Sequence, residues 1–406
     1  MMKKNVLYIS YDGMTDPLGQ SQVLPYLSEL SKKGYVFHLI SFEKEEKFSK
    51  FSSTIQKICD ASNIIWHPLT YTKKPPLLAT IYDVWRMNKL AKKIVVESNI
   101  VLVHCRSYIS ALVGMQLKAS MNIKFVFDMR GFWADERVEG NIWNLSNPIF
   151  KIVYHFFKKK ELAYFSNADH TISLTYCGKN EIHSWKKIEN SPIPIQVIPC
   201  CVDIEKFTHP KGIADTQIFQ KLKKEGVFIL GYIGSIGTWY MLDEMLDFFI
   251  EFKKKKSNAI FLFITQEQDL VKQKCIEKGI PLNNIYLSSC LHAEVPDYID
   301  VFDASVFFIK PSFSKKASSP TKQGEIMALG KPIFCNAGVG DTDMVIEKYK
   351  AGEIIYNFDV KDYEKAINKF LETNYNSETI VQGAKEFYSL TEGANRYEAV
   401  YKELLK

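Results

Sequence analysis

The stretch Phe228-Ile229-Leu230-Gly231-Tyr232-Ile233-Gly234-Ser235-Ile236-Gly237-Thr238-Trp239-Tyr240 is a short apolar run that breaks into a glycine-rich turn. The run predicts a buried strand over Phe228–Ile233, and the glycines let the turn backbone approach a helix or a phosphate. Further strand-length runs follow at Ala259–Thr265, Ile285–Ser288, Ala304–Ile309 and Pro332–Asn336. Helical periodicity separates them at Tyr240–Lys254, Glu267–Lys278, Val295–Phe302 and Lys322–Leu329. The same alternation precedes the stretch. Strands are predicted at Val6–Ser10, Phe37–Phe42, Val101–Cys105, Phe125–Asp128, Thr171–Leu174 and Gln196–Pro199, with helices at Ser21–Lys33, Leu77–Glu97, Ile109–Lys118 and Lys151–Ser166. Strands alternating with helices imply parallel βαβ units, here two doubly wound α/β domains. The first is predicted over residues 1–205, a polar linker over 206–226 and the second over 227–390, and a C-terminal helix (Asn395–Leu405, within about 390–406) packs back on the first. In such sheets ligands bind beyond the carboxyl ends of the strands, so a cleft between the domains is the expected site.

Composition bounds the function. The chain has 406 residues, 46% hydrophobic and 24% charged, which excludes a disordered tail, a collagen-like chain and a disulfide scaffold. Its longest clear apolar run, Ala259–Ile264, is far shorter than a membrane span. Residues 1–10 lack the features of a secretory signal, so a cytoplasmic protein is expected. The eight cysteines form no CxxC pair and have no histidine at metal spacing, so no structural disulfide or zinc is expected. The net charge of +6 is uneven: residues 1–210 hold 27 Lys/Arg against 19 Asp/Glu, and the remainder 25 against 27. The first half should therefore meet something anionic, although the excess is too mild, and too poor in motifs, for a nucleic acid.

The most specific stretch is Ser318-Ser319-Pro320-Thr321-Lys322-Gln323-Gly324-Glu325-Ile326-Met327-Ala328-Leu329-Gly330-Lys331-Pro332. Ser and Thr cap helices and Pro320 fits a first turn. Free N–H groups, the helix dipole and the Lys322 amine together favour a phosphate. Glu325 sits one turn in, where a carboxylate can accept two ribose hydroxyls; an ordinary capping box is an equally good reading of the residues by themselves. The segment resembles the nucleotide-sugar signature of family 4 glycosyltransferases, retaining enzymes of the GT-B fold in which two Rossmann-like domains face a central cleft. The resemblance implies a ribose role for Glu325. The family often has a second Glu eight residues earlier, where this chain has Ala317, so Ser318, Ser319 or Lys322 would take over its contact. The Gly234 turn matches the loop facing the donor phosphates but lacks the family's Arg and Lys, leaving Lys322 and Lys310 to supply charge.

Asp12–Gln22 follows the first strand and resembles the glycine loop that closes over the donor, with Gly19 and Gln20 at its turn. Two strands end in His104-Cys105-Arg106-Ser107-Tyr108 and Asp128-Met129-Arg130-Gly131-Phe132-Trp133-Ala134-Asp135-Glu136-Arg137. Charged groups grip sugar hydroxyls and aromatic faces stack on pyranose C–H surfaces, and the second string resembles the acceptor motif of bacterial family members. The expected catalytic residues are His104, Asp128, Arg130 and Lys322. The expected donor residues are Gly19, Gln20, Gly234, Ser235, Lys310, Ser319, Thr321, Lys322 and Glu325, and the expected acceptor residues are Arg106, Tyr108, Trp133, Asp135 and Arg137. Asp341-Thr342-Asp343 is a DxD string, read as part of a donor loop rather than a metal site.

The implied activity is transfer of a sugar from a nucleoside diphosphate sugar to a hydroxyl of a glycan or polyprenyl-diphosphate-linked acceptor in surface polysaccharide synthesis. It would need no cofactor and no metal. Rivals are a GT-B-fold sugar-nucleotide epimerase and a non-catalytic two-domain sugar-binding protein. Ile149–Lys160 mixes apolar and basic residues and Lys89, Lys92 and Lys93 add a second basic cluster, which suggests weak peripheral association with an anionic membrane.

Overall fold

Two parallel sheets organise the chain in the computed structural model, which describes residues 4–406. They fall in two units, Met1–Pro199 with Leu390–Lys406 and Cys200–Ser389. The first sheet holds β1 (Lys4–Ser10), β2 (Tyr35–Glu43), β3 (Ile64–Thr70), β4 (Leu102–Arg106), β5 (Lys124–Asp128), β6 (His170–Ser173) and β7 (Ile195–Val197), in the spatial order 3-2-1-4-5-6-7. The second holds β8 (Phe228–Ile233), β9 (Ala259–Ile264), β10 (Ile285–Ser288), β11 (Ala304–Phe307), β12 (Ile333–Asn336) and β13 (Gly352–Ile355), in the order 10-9-8-11-12-13. In each sheet the strand order reverses beside the first strand, between β1 and β4 and between β8 and β11. A doubly wound sheet opens its ligand crevice at that point, which directs attention to the loops after β1, β4, β8 and β11.

Both sheets are covered by helices on their two faces, so their central strands are continuous apolar runs. Residues 6–9 and 259–264 are buried throughout. Two predicted strands, Phe228–Ile233 and Ile285–Ser288, match the structure residue for residue. Others differ for physical reasons. The helix expected over Ser21–Lys33 is two, Pro17–Gln22 and Leu24–Ser31, because Val23 leaves helical geometry at φ −126°. The predicted linker is not one: Ile204–Phe207 and Gln217–Lys224 are helical, Phe219 is buried in the second core, and the units divide after Pro199. The last helix starts earlier than predicted, at Leu390, and belongs to the first unit.

Candidate functional site

In the second unit the turn after β8 begins at Gly234, whose φ of +119° favours glycine. A Cβ there would lie 2.9 Å from Lys322 Nζ, so the glycine also makes room for the amine. Residues 239–241 are then laced to the chain leaving β11: Lys310 N–H donates to Trp239 O at 2.8 Å and Met241 N–H to Phe308 O at 3.0 Å. That lacing fixes two rings over two lysines. Lys322 Nζ stands 3.7 Å from the Tyr240 ring centre and 4.2 Å from that of Tyr232, and donates to Tyr232 Oη at 3.2 Å. Lys315 Nζ lies 3.7 Å from the Trp239 ring centre. Trp239 and Lys315 carry no sequence motif, and only the structure brings them in.

Lys322 is 8% exposed, and among the described residues no carboxylate comes within ion-pair distance of it. Burial pushes its amine down to about 7, with Glu325 pulling the other way. Burial likewise raises the Glu325 carboxyl, opposed by His292 and Lys322. A buried ammonium held only by π faces and one hydroxyl is an incomplete arrangement that an anion completes. The helix Thr321–Ala328 adds donors. Pro320 precedes it and no side chain caps it, while Ser319 Oγ accepts from Cys200 N–H at 3.2 Å. This corrects the expected Ser/Thr cap, and leaves the first N–H groups of the helix for an anion. Thr321 opens that helix, and Ser235 and Lys310 are exposed at the ends of the β8 and β11 segments. The DxD string serves its own loop: Asp343 Oδ2 accepts from Gly338 N–H at 3.3 Å and Asp341 is buried.

In the first unit the loop after β1 is fastened by Glu43 at the end of β2. This buried carboxylate accepts from Met14 N–H at 2.8 Å, Thr15 N–H at 3.0 Å, Thr15 Oγ1 at 2.5 Å and Ser41 Oγ at 2.6 Å. Gly19 packs so tightly that a Cβ would fall 2.3 Å from Gly13 O, and exposed Gln20 donates to Thr15 O at 3.2 Å. The glycine is thus required by packing. Arg106, at the end of β4, is buried with Nε 3.7 Å from Asp12 Oδ2. Arg137 stacks 5.1 Å over Trp133. Arg106, Arg137, Trp133 and Asp12 all line one cavity of 570 Å³ in this unit.

Several expected contacts lie elsewhere. His104 is 1% exposed: its Nδ1 is 2.6 Å from Tyr401 Oη and its Nε2 is 3.4 Å from Asp128 Oδ2. Tyr397 O–H donates to the same Asp128 oxygen at 2.9 Å, and Arg130, at φ +56°, places NH1 3.9 Å from Oδ1. Burial lowers the His104 pKa, against the pull of Asp128. Burial would raise the Asp128 carboxyl, but Arg130, His104 and Arg106 outweigh it and hold it below its usual range. Two of the four expected catalytic side chains, His104 and Asp128, are therefore closed inside the first unit by tyrosines of the last helix, which fasten them there. Tyr108 is fully buried, donating its O–H to Glu161, and so is not an acceptor contact. Asp135 is occupied by Tyr154 O–H and Lys158 Nζ, each at 2.8 Å.

Comparisons with known proteins bear on the two units and on the fold. Residues 20–206 match the model for Glycosyltransferase Family 4, and residues 214–387 that for Glycosyl transferases group 1. Each of these models matches a little under half of the chain, one the amino-terminal and the other the carboxy-terminal part, and the fold is GT-B. Over its full length it is similar to a glycosyltransferase from Rickettsia africae ESF-5, with TM-score 0.69, 16% identity and coverage of 100% and 99% of the two chains. It is similar also to Anabaena Alr3699/HepE, solved in complex with UDP and glucose, with TM-score 0.69, 14% identity and coverage of 99% and 100%. In sequence, 215 residues are 27% identical to the Bacillus subtilis (strain 168) protein named "Putative teichuronic acid biosynthesis glycosyltransferase TuaH". That match covers 51% of this chain and spans about half of the relative, 49% of its length.

Proposed function

We propose that the protein transfers a sugar, with retention of anomeric configuration, from a nucleoside diphosphate sugar to a hydroxyl of a lipid-linked glycan, in surface polysaccharide assembly at the cytoplasmic face of the membrane. The observation that carries the reading is Lys322, a buried amine between two aromatic rings with no carboxylate partner among the described residues, beside the open turn of a helix that none of their side chains caps. An anionic diphosphate satisfies both at once. Glu325, one turn further on, takes the ribose hydroxyls. The names of TuaH and of HepE with UDP support the donor class and the setting.

The bond between the anomeric carbon and the diphosphate oxygen breaks as the acceptor oxygen bonds to the same face of that carbon. The departing phosphate oxygen takes the acceptor's proton, leaving a glycoside and a nucleoside diphosphate. Lys322 and the helix N–H groups hold the charge that develops on the leaving group. Lys315 and Lys310 add positive charge nearby, so the reaction proceeds without a metal. The first unit holds the acceptor at the cavity lined by Arg106, Trp133 and Arg137.

The test is calorimetric binding and slow hydrolysis across UDP-, GDP-, ADP- and dTDP-sugars, with and without EDTA. One donor should bind selectively at micromolar Kd, unaffected by EDTA, and Glu325→Ala should weaken it at least tenfold. A protein that binds none of them, with or without an acceptor lipid present, refutes the reading.

A further inference from the structure

We propose that the outward faces of helices Pro76–Glu97 and Pro148–Asn167 rest in an anionic lipid bilayer, with the first unit's apolar cavity opening onto it. On the first helix Leu77, Leu78, Ile81, Tyr82 and Trp85 are exposed, Leu78 at 64% and Trp85 at 57%. On the second Ile149, Ile152 and Phe156 are exposed, Ile152 at 70%. Spacings of three and four residues put each set on one helical face. A face this apolar on a folded unit marks a docking surface.

Charge settles what docks there. Basic residues accompany both apolar faces: Lys89, Lys92 and Lys93 follow Trp85 on the first helix, and on the second exposed Lys151 stands between Ile149 and Ile152 while Lys159 and Lys160 follow Phe156. Lys89 reaches back over the Trp85 ring at 5.6 Å and Lys160 over Phe156 at 5.6 Å. Of the carboxylates on these helices only Glu97 is exposed. Asp83 is buried against Tyr11 and Thr72, and Glu161 against Tyr108 and Lys158. A protein partner would meet acidic and basic groups together at such a rim, whereas a bilayer of anionic headgroups matches one that is basic. The geometry fits too. At 1.5 Å per residue the apolar part of the first helix is about 12 Å long and its lysines begin about 6 Å beyond. That suits burial of the amino-terminal turns to the headgroup–acyl boundary with amines at the phosphates. The cavity is walled by the same turns, Leu77 and Leu78 from one helix and Ile149, Phe150 and Val153 from the other. An acceptor lipid can therefore enter it without crossing water. That last step rests on the transfer reading above, but the bilayer contact does not.

The test is co-sedimentation of the full chain with vesicles of phosphatidylcholine alone or with phosphatidylglycerol. Binding should need the anionic lipid and fall with salt. Ile81→Glu with Ile152→Glu should abolish it, and Lys89→Gln with Lys92→Gln should weaken it by roughly fivefold per charge. All four positions are on the outer face, so the melting temperature and donor hydrolysis should be unchanged. Wild-type protein remaining in the supernatant, or variants that bind as wild type does, overturns the proposal. So does a concentration-dependent dimer that the double Glu variant dissolves, which would give the face to a second copy. Vesicle binding lost as expected in a protein that turns over no donor would refute the transfer reading and leave this one standing.

Discussion

Donor binding should take up a proton, and the size of the effect follows from where Lys322 sits. In the empty protein burial holds its amine at about 7, against an ordinary value of 10.5. The diphosphate is fully ionised across neutral pH and binds the ammonium form. Above pH 7 each binding event must therefore first protonate the lysine. Well above pH 7 each pH unit costs about 1.4 kcal/mol, or tenfold in Kd, and with half of the molecules already neutral at pH 7 affinity should fall about fiftyfold between pH 7 and pH 9. At pH 8 roughly nine molecules in ten carry the neutral amine, and binding should absorb about 0.9 proton. Calorimetry in two buffers of different ionisation enthalpy counts that proton directly. Tyr232 and Tyr240, whose hydroxyls burial raises, do not titrate in this window. Lys322→Arg, charged throughout, should flatten the profile, and Lys322→Met should flatten it at a much weaker affinity. A wild-type Kd that is level from pH 7 to 9 with no proton uptake refutes the placement of the diphosphate on Lys322.

Gly234→Ala should cut donor affinity at least tenfold, because its Cβ meets Lys322 Nζ and the backbone there sits at φ +119°; a donor titration reads it. Glu43→Gln should destabilise the protein by about 2 kcal/mol, since a carboxylate that accepts four hydrogen bonds becomes an amide, and should open residues 12–20 to limited proteolysis. Tyr401→Phe should cost about 1 kcal/mol in denaturant unfolding while leaving donor affinity intact, because it strips only the bond to His104. A large loss of donor binding in that variant would show that the cluster reaches substrate.

The glycine-punctuated strands were legible because a buried parallel strand is an unbroken apolar run. Ile64–Thr70 was not, since Pro68 interrupts it, and the structure explains the tolerance by placing β3 at the sheet edge, where a missing N–H costs little. Gly352–Ile355 escapes for a similar reason, being short and at the opposite edge of its sheet. At the site, Lys322 and Glu325 were readable from their place in a helix start. Lys315 and Trp239 were not, because a cation over a ring links positions 76 apart in the chain with no spacing rule to announce it. His104 and Asp128 failed in the opposite way. Polar residues at strand ends look alike in sequence whether they face solvent or, as here, are covered by tyrosines some 270 to 300 positions away.

The return of Leu390–Leu404 to the first unit has a consequence for how the protein is made. A ribosome that has completed β7 has produced every strand of the first sheet, yet His104 and Asp128 still lack Tyr401 and Tyr397. The first unit must wait, with a polar pair uncovered in its interior, while the whole of the second is synthesised. Order of manufacture and order of completion are thus reversed: the domain begun first is finished last. A premature stop shortly after Ser389 would release an intact second domain attached to a first that cannot close.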